Sequence, residues 1–152
     1  MKLNALVILL LGMIITNNIF AGEKPTASHN SVLNHFMDSY INSNYKMLKA
    51  ILSDDAVYTS NRDVRVIKHR GVDVLNQLKK NDGVKQRDCN ISSTIISETD
   101  ALVIARVDIN YDLFDGNQRN IVVIEKNKNG EWKITQVYKM FISGESSVKK
   151  LV

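Results

Sequence analysis

The stretch that decides the fold reads YINSNYKMLKAILSDDAVY and covers residues 40–58. It contains the end of one apolar helical stripe, the polar triplet NSN at 42–44, and a second short stripe over 45–52. The polar run SDD at 53–55 ends the second helix, because short polar side chains compete for backbone hydrogen bonds. The β-rich residues that follow predict a strand. The stretch therefore predicts helix, turn, helix and strand in direct succession.

The flanking sequence extends this pattern on both sides. Apolar residues recur at helical spacing from 32 to 41, which predicts a first helix capped by Asn30 or Ser31. Residues 57–59 and 64–68 predict a β-hairpin. A third helix is predicted over 71–80, where NDG follows and closes it.

The remaining sequence predicts strand after strand. Residues 91–97 alternate loosely, and residues 101–114 alternate well, with a polar face that includes Asp108 and an apolar face. That apolar face carries Val103, Ala105, Val107, Ile109 and Tyr111. The turn DGN at 115–117 predicts a hairpin into IVVI at 121–124, which is apolar on both faces. In the last strand, Ile134 and Tyr138 are expected on one face and Lys139 on the other.

The predicted order is α-α-β-β-α-β-β-β-β. This order indicates an α+β fold in which three helices from the N-terminal part pack on a curved, mostly antiparallel sheet. The expected shape is a cone-shaped α+β barrel. Its concave side, closed by the first helix, would form a pocket.

The pattern over residues 40–58 resembles the opening of nuclear-transport-factor-2-like proteins, and GEWKITQV at 130–137 resembles their last strand. The element order matches that superfamily from about 31 to 142. The nearest likeness is to its small exported bacterial branch, known as SnoaL-like or lumazine-binding. The superfamily includes isomerases, dehydratases, cyclases, epoxide hydrolases and non-catalytic binding domains, so the resemblance implies a fold and leaves the function to individual residues.

Two positions weigh against one activity of that superfamily. Alignment on DDA at 54–56 puts Phe36 where ketosteroid isomerase has its oxyanion-hole tyrosine, and Ser60 where it has its general-base aspartate. A phenyl ring cannot donate a hydrogen bond to an enolate, and an unaided serine cannot take up a proton at neutral pH. Steroid-type isomerase activity is therefore not expected, and the prediction leans away from an enzyme.

Aromatic and hydroxyl side chains are the candidate ligand-binding residues. A flat heteroaromatic or apolar molecule could stack on such rings while hydroxyl groups hydrogen-bond to it. The alternative is that each tyrosine is an ordinary core residue with its hydroxyl at the rim. The candidates are Phe36, Tyr40, Tyr58, Ser60, Tyr111 and Tyr138.

One acid–base pair is conceivable. If His69 and Asp108 both pointed into the cone, the imidazole could act as base and the carboxylate could orient it. The cationic neighbours of His69 instead favour a solvated strand end. Three histidines without helical i,i+4 pairing do not predict a metal site, and no cofactor is predicted.

Composition excludes several classes of function. The net charge of +4 comes from scattered basic residues, which form no basic stripe with interleaved aromatic residues, so nucleic acid is not an expected partner. A single cysteine, Cys89, excludes an internal disulfide and a zinc ribbon.

The N-terminal residues have the pattern of an export signal. Residues 1–21 combine Lys2, an apolar core of signal-peptide length and a small residue, Ala21, before the expected cleavage point. The predicted organisation is a signal peptide over 1–21, a flexible lead-in over 22–30, the domain over 31–143 and a frayed tail over 144–152. The chain is thus expected in the periplasm or outside the cell, without a stable membrane anchor after processing.

Three functions stay open at this point. The leading hypothesis is an exported, non-catalytic domain that binds a small apolar or aromatic molecule. The second is a cone-pocket dehydratase or hydrolase that uses His69 and Asp108. The third is a homodimeric interaction module that pairs through its sheet. A buried His69–Asp108 pair would favour the enzyme, an aromatic-lined pocket the binding domain, and a filled cone the interaction module.

Overall fold

The computed structural model describes residues 27–62, 64–112 and 116–143. The predicted signal peptide, residues 22–26 of the predicted lead-in and the predicted tail lie outside these ranges. Within them, no helix is both long and apolar enough to cross a membrane.

The helices and strands of the described residues follow one another in the predicted order. The elements are α1 (His29–Ile41), α2 (Tyr45–Ile51), β1 (Leu52–Arg62), β2 (Arg65–Arg70), α3 (Gly71–Lys80), β3 (Cys89–Glu98), β4 (Leu102–Tyr111), β5 (Gly116–Lys126) and β6 (Trp132–Ser143).

Helix α1 begins two residues before the predicted start. Ser28 is its N-cap and accepts a hydrogen bond from the backbone N–H of Ser31 at 3.2 Å. His29, expected to be solvated in the lead-in, is instead half-buried. Its Nε2 lies 3.3 Å from a carboxylate oxygen of Glu98, and its ring meets that of Trp132 edge-on at 5.4 Å between centroids. These partners are distant in sequence, so local pattern could not reveal them.

The NSN turn at 42–44 separates α1 from α2, as its polar composition predicts. Ser43 has a φ of 47°, in the left-handed region that only short polar residues and glycine enter readily. Asn44 then caps α2, because its side chain accepts a hydrogen bond from the backbone N–H of Met47 at 3.0 Å. The sharp reversal packs α1 and α2 side by side.

Strand β1 starts earlier than the sequence predicts. Leu52 already pairs with Ile134 of β6, and the regular pairing resumes only at Val57. Because the register shifts between these two residues, SDDA at 53–56 is not regularly paired with β6, but the strand continues through it. The preceding helix ends at Ile51, one residue before the predicted end of its apolar stripe at Leu52.

The sheet has the strand order β2-β1-β6-β5-β4-β3. The β1–β6 pair is parallel and the other four pairs are antiparallel. The sheet is curved and unclosed, with β2 and β3 at its edges, and three helices pack against it. The predicted α+β fold class is therefore confirmed.

The predicted apolar face of β4 lies on the concave side. Val103, Ala105, Val107 and Ile109 are inaccessible to solvent. Burial of each valine or isoleucine side chain stabilises the fold by about 1.5–3 kcal/mol. This face is therefore the centre of the core. Helix α3 approaches closely at Gly71, where a Cβ would lie 3.0 Å from that of Ala56.

Candidate functional site

A cavity of about 610 Å³ opens between the helices and the concave face of the sheet. Side chains of all three helices and of β1, β2, β5 and β6 line it. Apolar walls come from residues such as Phe36, Leu48 and Val137, and polar walls from hydroxyl and amide side chains. The cone is therefore not filled, which is the opposite of what a pure interaction module was expected to show.

Four predicted ligand-binding residues meet at this cavity. Phe36 and Tyr40 reach it from α1, one helical turn apart. Tyr58 and Ser60 reach it from β1, where a spacing of two residues puts them on the same face. The structure thus brings these four side chains together from two separate elements.

Tyr111 stands behind the cavity and supports Tyr40. The two hydroxyl oxygens are 2.6 Å apart, and the Tyr40 hydroxyl also donates to Oε1 of Gln118 at 3.3 Å. Burial, with the Tyr111 hydrogen bond as a second cause, raises the pKa of Tyr40 far above its ordinary value. Tyr40 therefore keeps its proton and acts as a hydrogen-bond donor.

The polar chain continues along β5. Gln118 donates from Nε2 to Oδ1 of Asn120 at 2.8 Å, and both side chains are buried. They occupy alternate positions on the concave face and line the cavity. The sequence analysis missed both residues, because amides in a strand are more commonly solvated and nothing local marks these two as buried.

Tyr58 differs from Tyr40 in its partners. It is 7% exposed, and its hydroxyl has no hydrogen-bond partner among the described residues. Burial raises the pKa of Tyr58 well above its ordinary value, so the group stays protonated. A buried polar group without a partner is unfavourable, and such groups are frequent where a ligand or water supplies the missing bond.

The predicted His69–Asp108 pair does not form. His69 lines the cavity, whereas Asp108 belongs to the convex face of β4, where its oxygens lie 2.8 Å from Arg106 Nε and 2.7 Å from Arg119 Nε. Neighbouring residues of a strand face opposite sides, and Val107 and Ile109 occupy the concave side. The acid–base prediction is wrong for this reason.

Another carboxylate, that of Asp73 on α3, does lie at the cavity rim. It is partly exposed and receives two hydrogen bonds of 3.1 Å from the guanidinium group of Arg70. These bonds are the main cause of the lowered pKa of Asp73. The carboxylate is thus held as an anion by a neighbouring arginine.

Around Tyr138, the side chains of the last strand point to the opposite faces of the sheet from those predicted. Ile124 of β5 pairs with Ile134, but Val123 pairs with Gln136, so Thr135 is an extra residue in β6. One extra residue reverses the alternation of every later side chain. Tyr138 therefore lies on the convex face, outside the cavity, and Lys139 lines the cavity instead.

The convex face near the centre of the sheet is only partly covered. Ile121 and Val123 point to this side and are half-buried, whereas Val122 and Ile124 are buried on the concave side. The run at 121–124, which is apolar on both faces, is thus fully buried on only one of them. In the described ranges, no group of three His, Cys, Asp or Glu side chains is placed to hold a metal ion.

Neither a protein-family model nor a curated protein sequence matches this chain. Solved structures do match, at low identity. A nuclear-transport-factor-2-like protein of unknown function from Shewanella baltica has a TM-score of 0.62 at 12% identity, covering 74% of this chain and 90% of its own. A cystatin-like fold protein from Burkholderia xenovorans has a TM-score of 0.60 at 10% identity, covering 75% and 88%.

A third similar structure is a nuclear-transport-factor-2-like protein of unknown function in nutrient uptake from Rhodospirillum rubrum. Its TM-score is 0.57 at 14% identity, and the match covers 76% of this chain and 98% of that one. Likeness at such identities concerns the fold alone. The resemblance predicted from residues 40–58 and 130–137 is confirmed at that level.

Proposed function

The chain has the nuclear-transport-factor-2-like fold, and on that premise we propose that it binds a small, mostly apolar or aromatic molecule in its cone without transforming it. The observation that carries the proposal is the cavity of about 610 Å³ between α1, α3 and the concave sheet face. Its volume lies within the range of about 300–1,000 Å³ that is typical of small-molecule sites.

The lining of the cavity supports a ligand of mixed character. Phe36, Leu48 and Val137 are buried side chains that offer apolar surface to the cavity. The hydroxyl groups of Tyr40 and Tyr58 are fixed in their protonated form by burial. Mostly apolar walls with a few placed polar groups are the usual composition of sites that bind organic molecules.

The side chains at the cavity argue for binding rather than catalysis. By alignment on DDA at 54–56, Phe36 and Ser60 fall where a steroid-type isomerase would need a hydrogen-bond donor and a general base. His69 lines the cavity but has lost its predicted carboxylate partner, since Asp108 is paired with two arginines on the other face. The Asp73 carboxylate, which also lines the cavity and interacts electrostatically with His69, is hydrogen-bonded by Arg70 instead.

Export and self-association belong to the same proposal. The predicted signal peptide would place the ligand in the periplasm or outside the cell, without a membrane anchor on the processed chain. We also propose a homodimer that pairs through the convex sheet face, where Ile121 and Val123 are half-buried and Tyr138 is 41% exposed. A pairing of this kind would leave the cone accessible.

The neutral fluorophore N-phenyl-1-naphthylamine tests the binding proposal. We expect its emission to rise and shift to the blue when it is titrated into the purified protein. Ser60→Trp should weaken the signal, because an indole at this half-buried position would take up space in the cavity that the fluorophore needs. Asn61→Trp is the matched control, since the next residue of β1 points to the other face and is exposed.

Two results would contradict the binding proposal. One is the absence of any fluorophore binding to the unmodified protein. The other is equal binding by both tryptophan variants, which would put the fluorophore somewhere other than the cone. Sedimentation of the same samples would test the homodimer separately.

A further inference from the structure

Three carboxamide side chains stand at the mouth of the cavity. Gln77 lies near the end of α3, Asn81 is the C-cap of that helix, and Gln86 follows in the loop before β3. Gln77 and Asn81 are four residues apart, a spacing that puts side chains on one face of a helix. All three line the cavity and are exposed, so they belong to its opening and not to its floor. We call these three side chains the amide rim.

The loop over 81–86 is fixed to the turn between α1 and α2. The backbone N–H of Gln86 donates to the carbonyl oxygen of Ile41 at 2.6 Å, and that of Gly83 donates to the carbonyl oxygen of Ser43 at 3.3 Å. A carboxylate of the same loop also accepts, at 3.0 Å, from the backbone N–H of the first residue of α2. The loop is therefore held before a ligand arrives, and binding does not have to order it.

The charged side chains that line the cavity already have partners. The Asp73 carboxylate receives two hydrogen bonds from Arg70, and Lys139 is engaged in an interaction of its own. A charged ligand would have to compete with these partners, and burying its charge without a partner would be costly. His69, which also lines the cavity, carries one donor and one acceptor when its imidazole is neutral. The mouth therefore favours an uncharged polar group.

The chemistry of the amide rim narrows that group further. Within residues 27–62, 64–112 and 116–143, no hydrogen bond to the protein engages these three side chains. Each carboxamide offers a donor and an acceptor side by side. Neighbouring hydroxyl groups of a sugar match such a pair, because each hydroxyl can both donate and accept. Phe141, which lines the same cavity and is 57% exposed, adds apolar aromatic surface for the C–H face of a sugar ring.

We propose that the amide rim binds the sugar head of a neutral glycoside, whose apolar body packs inside the cavity against Phe36, Leu48 and Val137. The proposal rests on the binding function proposed above and specifies the polar end of the ligand. The orientation follows from burial, since these three apolar side chains are buried whereas the amides are exposed.

Competition among amphiphiles of one chain length tests the head group. Octyl β-D-glucopyranoside, 1-octanol, octanoate and octyltrimethylammonium are each titrated against bound N-phenyl-1-naphthylamine, below the concentration at which they form micelles. The fluorophore with each amphiphile and no protein is the blank. We expect the glucoside to displace the fluorophore at about tenfold lower concentration than the other three, because only its head forms several hydrogen bonds to neutral amides.

Variants locate the effect at the mouth. Gln77→Leu and Gln86→Leu each remove one amide and should weaken displacement by the glucoside about threefold to tenfold. Displacement by 1-octanol should change less than about twofold. Asn76→Leu is the matched control, because Asn76 precedes Gln77 on the same helix, is also exposed and does not line the cavity. Circular dichroism checks that each variant folds, and the two amide variants lie on different elements.

The outcomes separate the two proposals. No preference for the glucoside, a stronger displacement by either charged amphiphile, or a glucoside preference that survives both amide variants would overturn the sugar site and leave the binding function standing. Failure of the fluorophore to bind the unmodified protein would overturn both. A loss in Asn76→Leu equal to that in Gln77→Leu would attribute the effect to the helix surface and also overturn the site.

Discussion

The concave face of β5 has two halves, and the buried side chains of the two halves have different roles. On the concave side of β5, Val122 and Ile124 are inaccessible to solvent and surrounded by apolar side chains; we call this region the closed end. Gln118 and Asn120, four and two residues before Val122, are almost equally buried but polar; with the cavity that they line, they form the cavity end. Burial alone therefore does not distinguish core from site.

The two halves are stabilised by different interactions. The closed end is stabilised by burial of apolar surface, which needs no particular partner. At the cavity end, each amide has to be hydrogen-bonded, and each bond contributes only about 0.5–1.5 kcal/mol net. The closed end is thus expected to hold the fold together, while the cavity end keeps polar groups in place for a ligand.

The largest effect is expected at the closed end. Ile124→Ala should lower the free energy of unfolding by about 2–5 kcal/mol, because it removes buried methyl groups and leaves a cavity. Urea denaturation measures this loss. Ile121→Ala on the convex side of the same strand is the control and, at a protein concentration at which the chain is monomeric, should cost less, since Ile121 is only half-buried there. Equal losses would show that burial at Ile124 contributes no more to stability than half-burial on the convex face.

A smaller loss is expected within the polar chain. Gln118→Leu would leave the Tyr40 hydroxyl and the Asn120 amide oxygen without their partner, at a cost of about 1–3 kcal/mol in unfolding free energy. Gln136→Leu, on exposed surface of the neighbouring strand, should change stability by less than about 0.5 kcal/mol. A stabilised Gln118 variant would show that the chain is not formed.

The two tyrosines should respond with opposite signs. Tyr40→Phe removes a bonded hydroxyl and should lower the free energy of unfolding by about 1 kcal/mol. Tyr58→Phe removes a buried hydroxyl that has no partner in the described part of the chain and should leave stability unchanged or raise it by up to about 1 kcal/mol. Thermal unfolding of both variants without ligand is the measurement. Losses of equal size would mean that the Tyr58 hydroxyl is bonded.

The smallest effect is expected at the exposed rim. Arg70 holds the pKa of Asp73 below its ordinary value, chiefly through hydrogen bonds. A lowered carboxyl pKa contributes stability at neutral pH that is lost as the pH falls through the folded-state pKa. Arg70→Ala should therefore raise the Asp73 pKa, as an NMR titration of the carboxyl carbon would show. Solvent screening should keep the change in stability slight.

The order of helices and strands was predictable because its determinants are local. Capping by Asn44, the break at NDG and the strict alternation of β4 each depend on residues close in sequence. The start of α1 was harder to predict, since His29 is held by Glu98 and Trp132 from distant strands.

The candidate site was predictable only in part. Phe36 and Tyr40 were identified because they lie on one regular helix, and Tyr58 and Ser60 because they follow the register shift of β1 in a regularly paired segment. Tyr138 was misplaced and Lys139 overlooked because one extra residue at Thr135 reverses the faces of β6. No feature of the sequence marks this bulge. The predicted alternation of faces in β6 was therefore continued through it.

By itself, the sequence determined the element order, the α+β class and the apolar face of β4, since periodicity and turn composition act over a few residues. The tertiary structure alone decided which polar side chains meet inside the cone. Gln118, Asn120, Lys139 and Ser60 come from three strands, and their meeting depends on strand register and on one bulge. Register is set by contacts across the whole sheet, which no local pattern encodes.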